Sequence, residues 1–283
     1  MIGEISALIA AVCWAGSAVS IRRALQTTDA LNATLASVLI NAILLWPAAL
    51  LLTKFDQVGW PGVAVLVAAG LLAPTFGRLL RFMAVEKLGV APAAPLIATS
   101  PFFAAIFAVL LLGEEITLEI GLGTLFTMLG IVLLSSREEK VRLSRLGVMV
   151  SLVSAASFGL GDVIRKVGAT LVGSPLLGAA VGASVAAPVY LLLGVATKRR
   201  IERPTRWTRF NVANGVFTTL ALSFTFVALF SELVVIVEPL IGTTPLFTLV
   251  LIVLFLKKIE KVSAMILASS ILVVSGSALI VLA

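Results

Sequence analysis

Long apolar runs separated by short polar connections are the dominant pattern along this chain. The runs are about twice as long as a membrane β-strand and lack its strict alternation, so they predict helices that span a bilayer. Ten spans are predicted, at residues 3–23, 31–53, 60–83, 89–112, 117–135, 146–166, 175–197, 209–230, 233–256 and 262–282. The connections are too short for a further domain. The pattern therefore predicts an all-α polytopic membrane protein whose function lies within the bundle.

Two segments of the chain repeat each other at a distance of 144 residues (from 95 to 239 and from 101 to 245). Pro95 and Pro101 of APLIATSPFFAAIFAVLLLGEEIT recur as Pro239 and Pro245 of EPLIGTTPLFTLVLIVLFLKKIEK. A half-chain of five spans enters and leaves on opposite sides, so its second copy is inverted. The repeat predicts ten transmembrane helices as two inverted five-helix repeats, residues 1–141 and 142–283. Interrupted helices at matching positions are typical of secondary transporters, which bind substrate at the repeat interface.

Lys and Arg residues are distributed unequally between the two predicted sides of the membrane. One side receives 18 of the 21, whereas Lys54, Arg165 and Lys166 fall on the other. Because cytoplasmic loops are rich in Lys and Arg, both termini are expected outside. The net charge of +7 is explained by anchoring to anionic lipids and needs no nucleic acid. We expect an integral protein of a prokaryotic plasma membrane.

Amino-acid composition excludes several kinds of cofactor site and enzyme active site. Hydrophobic residues make up 60% of the chain and charged residues 12%, with one Cys and no His. This excludes an intrachain disulfide and ligation of zinc or haem by His, so we expect no cofactor and no metal site. An intramembrane hydrolase needs paired Asp, Ser with a base, or metal ligands, and this chain offers none of these patterns. We therefore expect no enzyme activity.

The sequence LLLGEEIT at residues 110–117, followed by EIGLGTLFTMLGIVLL at 119–134, resembles the first repeat of EamA-type proteins of the drug/metabolite transporter superfamily. VEPLIGTTPLFTLVLIVLFLKKIEK at 237–261 is similar to the second repeat, although Lys257 and Lys258 stand where the family keeps Gly-Glu. The resemblance implies a central cavity lined by helices 1–4 and 6–9, with helices 5 and 10 at the periphery. It also implies export of amino acids or related amphipathic metabolites.

Glu238 is the leading candidate for chemistry inside the bilayer, because an ionisable side chain there is costly and is a functional hypothesis by default. It immediately precedes Pro239, which removes a helix hydrogen bond and opens the preceding turn. An acid beside freed carbonyls suits a cation, a proton or a substrate amine. The structural alternative is a protonated Glu238 that caps those carbonyls.

Two further charged residues are candidates with structural alternatives of their own. Asp162 would take part in ion coupling, but Arg165 and Lys166 stand three and four residues on and offer local ion pairs. Asp162 is also expected about one turn from the end of helix 6. Arg78 would receive a substrate carboxylate in the cytoplasmic vestibule, unless its side chain extends to the headgroups. Arg78 and Glu238 approach from opposite faces, which argues against their holding one zwitterion together.

The remaining candidate substrate contacts are polar or aromatic side chains on helices expected to face the centre: Trp14, Asn41, Phe82, Thr99, Phe158, Phe226 and Thr243. Each has an alternative role. A Thr hydroxyl can bond a carbonyl of its own helix, an amide can bridge two helices, and an aromatic ring can simply pack. Glu114 and Glu115 are expected to end helix 4 and to lie at the outer interface.

The resulting hypothesis is a secondary transporter of small metabolites that works by alternating access, as one repeat rocks against the other. Coupling to protons at Glu238, exchange and facilitated diffusion all stay open. The alternative is a lipid-moving or structural membrane bundle without solute transport. The expected partners are a small-molecule substrate and membrane lipids, and the protein is expected to be a monomer or a homodimer.

Overall fold

The computed structural model describes residues 1–88, 93, 96–135, 144–197, 201, 204, 207–255 and 264–282, which are almost entirely helical and contain no strand. The helices are α1 Ile2–Ala24, α2 Ala30–Leu52, α3 Trp60–Gly70, α4 Arg78–Leu88, α5 Ser100–Leu112, α6 Leu118–Ser135, α7 Arg145–Val172, α8 Pro175–Ala196, α9 Arg209–Ser231, α10 Val234–Ile241, α11 Thr244–Phe255 and α12 Ala264–Leu282. A π-helical segment, Leu71–Gly77, joins α3 to α4.

Six helical stretches are long and apolar enough to cross a membrane: α1, α2, α3 continued to Arg81, α7, α8 and α9. Shorter apolar helices occupy the described parts of the other four predicted spans. Helix interruptions shorten two of these spans, 89–112 and 233–256. Residues 89–92, 94–95, 256 and 262–263 of the predicted spans lie outside the described residues. The protein is thus an all-helical membrane protein, and the count of ten spans stays a prediction.

Local sequence signals explain where several helices begin and end. Four helices follow a residue whose side chain accepts a hydrogen bond from the backbone N–H three residues on: Asp29, Ser144, Ser174 and Thr208. α5 and α7 end at Gly113 and Gly173, whose φ angles are 67° and 64°. Glycine is the residue that adopts this left-handed conformation without strain.

Helix interruptions occur at equivalent places in the two copies. Residues 98 and 99 form a turn before α5, and residues 242 and 243 form a turn between α10 and α11. In each turn a Thr hydroxyl donates to the carbonyl three residues back, Thr99 to Leu96 and Thr243 to Leu240, both at 2.7 Å. Interrupted helices at positions 144 residues apart, which the proline pairs predict, are confirmed.

The π-helical segment around Pro74 has no counterpart in the second copy. Pro74 corresponds to Thr218 under the 144-residue shift, and Thr218 lies in the regular helix α9. Carbonyl groups at Gly70, Pro74 and Gly77 accept hydrogen bonds of 2.8–2.9 Å from three side chains: Thr75, Tyr190 and Ser154. Such side-chain donors let irregular backbone persist at membrane depth.

The helices pack in pairs that correspond when the two halves of the chain are exchanged. α1 packs along α9, while its counterpart α7 packs along α3 and α4. α2 packs on α8, and α6 packs on α12. The α6–α12 contact is backbone to backbone: a methyl group on Gly123 would lie 2.6 Å from the carbonyl oxygen of Gly276. Small residues permit this approach where the hydrophobic effect gives no drive between helices.

The helix that carries Asp162 is longer than predicted. The sixth span was expected to end at residue 166, but α7 is 28 residues long and continues to Val172. Asp162 therefore lies 10 residues before the helix end, which corrects its expected place about one turn from the end. The helix can continue because its charged residues find partners inside the bundle.

Candidate functional site

Glu238 lies in the short helix α10, on the turn before the interruption at residues 242–243, and is 6% exposed. The backbone N–H of Gly242 donates to the Glu238 carbonyl at 2.8 Å, so that carbonyl is already satisfied. The Glu238 carboxyl group lies near Asp162 and Arg165 of α7.

Asp162, Arg165 and Glu238 form a buried charged cluster between α7 and α10. Arg165 forms an ion pair with Asp162 one turn earlier in the same helix, as the spacing predicts. Glu238 lies close enough to Asp162 and Arg165 for their charges to act on its carboxyl group. The cluster therefore sets two carboxyl groups beside one guanidinium.

The Phe226 ring and a hydrogen bond between α1 and α9 lie next to this cluster. The Arg165 guanidinium lies over the Phe226 ring, 5.7 Å from its centroid, and Phe226 is 2% exposed. This is the distance of a cation–π contact. Next to Phe226 in α9, Thr225 accepts a hydrogen bond of 3.4 Å from the Trp14 indole. Of the predicted aromatic residues, Phe226 thus contacts the charged cluster and Trp14 lies next to it.

A cavity of about 210 Å³ lies where the two helix interruptions face each other. Glu238 lines it, together with residues of both interruptions and one residue of α6: Ala98, Ser100, Pro101, Ile241, Gly242, Thr244 and Ile131. Thr99 and Thr243 belong to the same turns, but their hydroxyls bond carbonyls of their own segments. The proline-paired segments of the two copies therefore meet around Glu238.

Other predicted residues make structural contacts away from the cluster. Asn41 is 3% exposed and lies 3.0 Å from the Thr219 hydroxyl, so its amide bridges α2 and α9. Phe158 packs on Gly77, beside the π-helical segment. Arg78 follows that segment as the first residue of α4. The side chain of Phe82 lies outside the described residues.

Sequence reasoning missed two parts of the buried polar network. The first is a seam between α1 and α9, in which the Ser17 hydroxyl lies 2.7 Å from the Asn214 amide oxygen and 3.1 Å from the Thr218 hydroxyl. The second is Glu114, which is 7% exposed although both acids of this pair were expected at the interface. Glu115 is exposed, as expected. The sequence signal that could have indicated a turn back into the bundle is the glycine at position 113, directly before Glu114.

A metal centre finds no support in the described ranges. No group of three or more His, Cys, Asp or Glu side chains that could hold an ion occurs there. The cluster itself offers two carboxyl groups, one guanidinium and a neighbouring aromatic ring, which can exchange a proton and bind ammonium and carboxylate groups.

The chain matches the sequence model of the EamA-like transporter family over residues 1–136 and 145–282. An uncharacterized transporter of Archaeoglobus fulgidus is 23% identical over 160 residues, which span 56% of this chain and 57% of that protein. A crystal structure of a protein superposes with a TM-score of 0.84, covering 99% of this chain and 96% of that one. At 17% identity, this second match shows a likeness of fold alone.

Proposed function

We propose that this chain, which belongs to the EamA-like transporter family, exports amino acids or related amphipathic metabolites by alternating access. The family makes it a membrane transporter; substrate, direction and mechanism are our proposal. In it, ten transmembrane helices form two inverted five-helix repeats that rock about a site at their interface. The observation that carries the proposal is the Asp162–Arg165–Glu238 cluster, buried beside a cavity that both helix interruptions line.

The charge balance of the cluster supports coupling to a cation. Two carboxyl groups face one guanidinium, so the fully ionised cluster has one uncompensated negative charge in a region where such a charge is costly. A proton on the carboxyl pair or an ammonium group of a substrate would each remove that cost. Occupation by one or the other in turn would exchange a proton for an amine-bearing solute.

The same three side chains suit a zwitterion. A guanidinium is the protein group best matched to a carboxylate, and Glu238 is an acid for an ammonium group. Arg165 supplies the cationic partner that Arg78 was too far away to provide. Phe226 and Trp14 offer apolar surface on the other side of the cluster from the cavity. The cavity of about 210 Å³, which Glu238 lines, suits a small solute. An amino acid has a carboxylate, an ammonium group and a side chain, which match these three parts of the site.

The test is transport by purified protein in liposomes, with counterflow of radiolabelled amino acids measured first because it needs no coupling ion. Net movement is then measured with and without a proton gradient. We expect saturable counterflow by the parent protein, and a loss of proton-driven flux by about tenfold or more in Glu238→Gln, since a charge-assisted bond is lost. Glu115→Gln is the matched control, because Glu115 is an exposed acid.

Two results would contradict the proposal. Equal rate and equal pH dependence in Glu238→Gln and the parent would remove Glu238 from the mechanism. Redistribution of labelled lipids without movement of any water-soluble solute would favour the lipid-moving bundle instead. Folding of each variant is checked by its elution as a monodisperse peak.

A further inference from the structure

A second buried charged group lies one helical turn from Glu238 and plays no part in the proposed substrate site. It consists of Glu114, after the end of α5, and Lys166 of α7. The Lys166 ammonium donates to Glu114 Oε1 at 2.8 Å and to the backbone carbonyl of Glu232 at 2.7 Å. The Glu114 and Lys166 side chains are 4% and 19% exposed. The group therefore ties α5, α7 and the α9–α10 connection together.

Glu114 also caps the helix that carries Glu238. Its two carboxylate oxygens accept hydrogen bonds of 3.0 Å from the backbone N–H groups of Val234 and Val235, the first two residues of α10. These N–H groups have no partner within the helix, and a carboxylate at a helix N-terminus is favoured by the helix dipole. Glu238 follows Val234 by four residues, which is one turn, so the cap sets where Glu238 lies.

The backbone holds Glu114 in place for this contact. Gly113 adopts a left-handed conformation, and the N–H of Glu114 donates to the Ala108 carbonyl at 3.3 Å. This turn directs Glu114 inward while Glu115 stays exposed. The second copy of the repeat does not carry the same pair, because Lys258 corresponds to Glu114 and Arg22 to Lys166. Two basic side chains cannot form this ion pair with each other.

We propose that Glu114 and Lys166 form a latch that positions Glu238 and closes this end of the bundle. The latch must open when α10 moves away from α5 and α7, so the inference rests on the proposed alternating access. Glu114 and Lys166 act as positioning residues, because they contact the helix that bears Glu238 rather than a substrate.

The experiment measures opening directly and needs neither substrate nor transport. Cys13, the one cysteine of the chain, is replaced by Ala, and Val235, which is 1% exposed, is replaced by Cys as a reporter. The protein is placed in nanodiscs, where both faces are accessible, and the rate of modification by a polar maleimide is measured. We expect Glu114→Gln to raise this rate about tenfold or more, since three charge-assisted contacts are weakened.

Matched controls separate a latch from general loosening. Glu115→Gln should leave the rate at the parent value. Gly70→Ala, which disturbs the α3–α8 contact at Gly182 and Val185, should lower the melting temperature without raising the rate at position 235. Lys166→Met keeps the cap on α10 and serves if Glu114→Gln does not fold; it should raise the rate as well.

The outcomes distinguish this inference from the proposed function. An unchanged rate in folded Glu114→Gln or Lys166→Met overturns the latch, whether or not the protein transports amino acids. A raised rate supports the latch contact even if counterflow of amino acids fails, in which case the substrate proposal is the one rejected. A rise of equal size in Gly70→Ala also overturns the latch, because general loosening would then explain it.

Discussion

Two groups of buried charged side chains in the described part of the bundle differ in their balance of acids and bases. Glu114 and Lys166 pair one acid with one base and satisfy backbone groups around them. Asp162, Arg165 and Glu238 instead set two acids against one base. A buried pair is costly to break because the surviving charge loses its partner. The first group is therefore suited to holding structure, and the second to binding and releasing a cation.

The charge balance predicts an unequal effect of single and double substitutions. Arg165→Gln should destabilise the protein by about 3–5 kcal/mol, because it leaves Asp162 without its cation. Asp162→Asn combined with Arg165→Gln should recover most of that loss, because both charges of the pair are then gone. Thermal unfolding in detergent measures the two variants. A double variant less stable than Arg165→Gln would contradict this account of the cluster.

The candidate site is built from helices that are interrupted or that need a side chain from another helix to satisfy their first N–H groups. The two interruptions have the same Thr-to-carbonyl bond at positions 144 residues apart, and they face each other across the cavity. The short helix α10 depends on Glu114 to satisfy its first N–H groups. In contrast, α6 and α12 contact each other through glycine backbones and form a rigid pair.

The α6–α12 contact predicts opposite results for two neighbouring glycines. Gly123→Ala should cost about 1–3 kcal/mol, because its methyl group would lie 2.6 Å from backbone and side-chain atoms of α12. Gly121→Ala should be neutral or slightly stabilising, since its methyl group would meet Ile116 at an ordinary 3.5 Å. Both are measured by thermal unfolding. An equal loss of stability in the two variants would contradict this account, because helix propensity favours Ala over Gly at both positions.

The whole molecule combines a membrane bundle with a strongly asymmetric distribution of basic residues. The structure places Arg165 and Lys166 in buried ion pairs, so they are not free charges at the membrane surface. Of the three exceptions to the Lys and Arg rule, Lys54 alone is exposed. The expected orientation, with both termini outside, therefore depends on fewer exceptions than the sequence count indicates.

A reporter that is active only in the cytoplasm, attached after Ala283, tests that orientation. We expect it to be inactive, because an even number of predicted spans places both termini on the side poor in Lys and Arg. The same reporter inserted after Leu88 should be active there, in the connection between the third and fourth predicted spans. Activity at Ala283 and none after Leu88 would reverse the orientation.

The apolar runs and the repeated prolines determined much of this protein from sequence alone: the all-helical membrane class, the family confirmed over both halves, and the paired helix interruptions. These features follow from hydrophobicity and backbone chemistry, which are local. Tertiary structure decided the rest. That α7 runs on to Val172, that the local Asp162–Arg165 pair lies near Glu238, and that Glu114 turns inward to cap α10 all depend on partners distant in sequence. A buried charge is stable only beside its partner, and packing of the helices alone determines which partner that is.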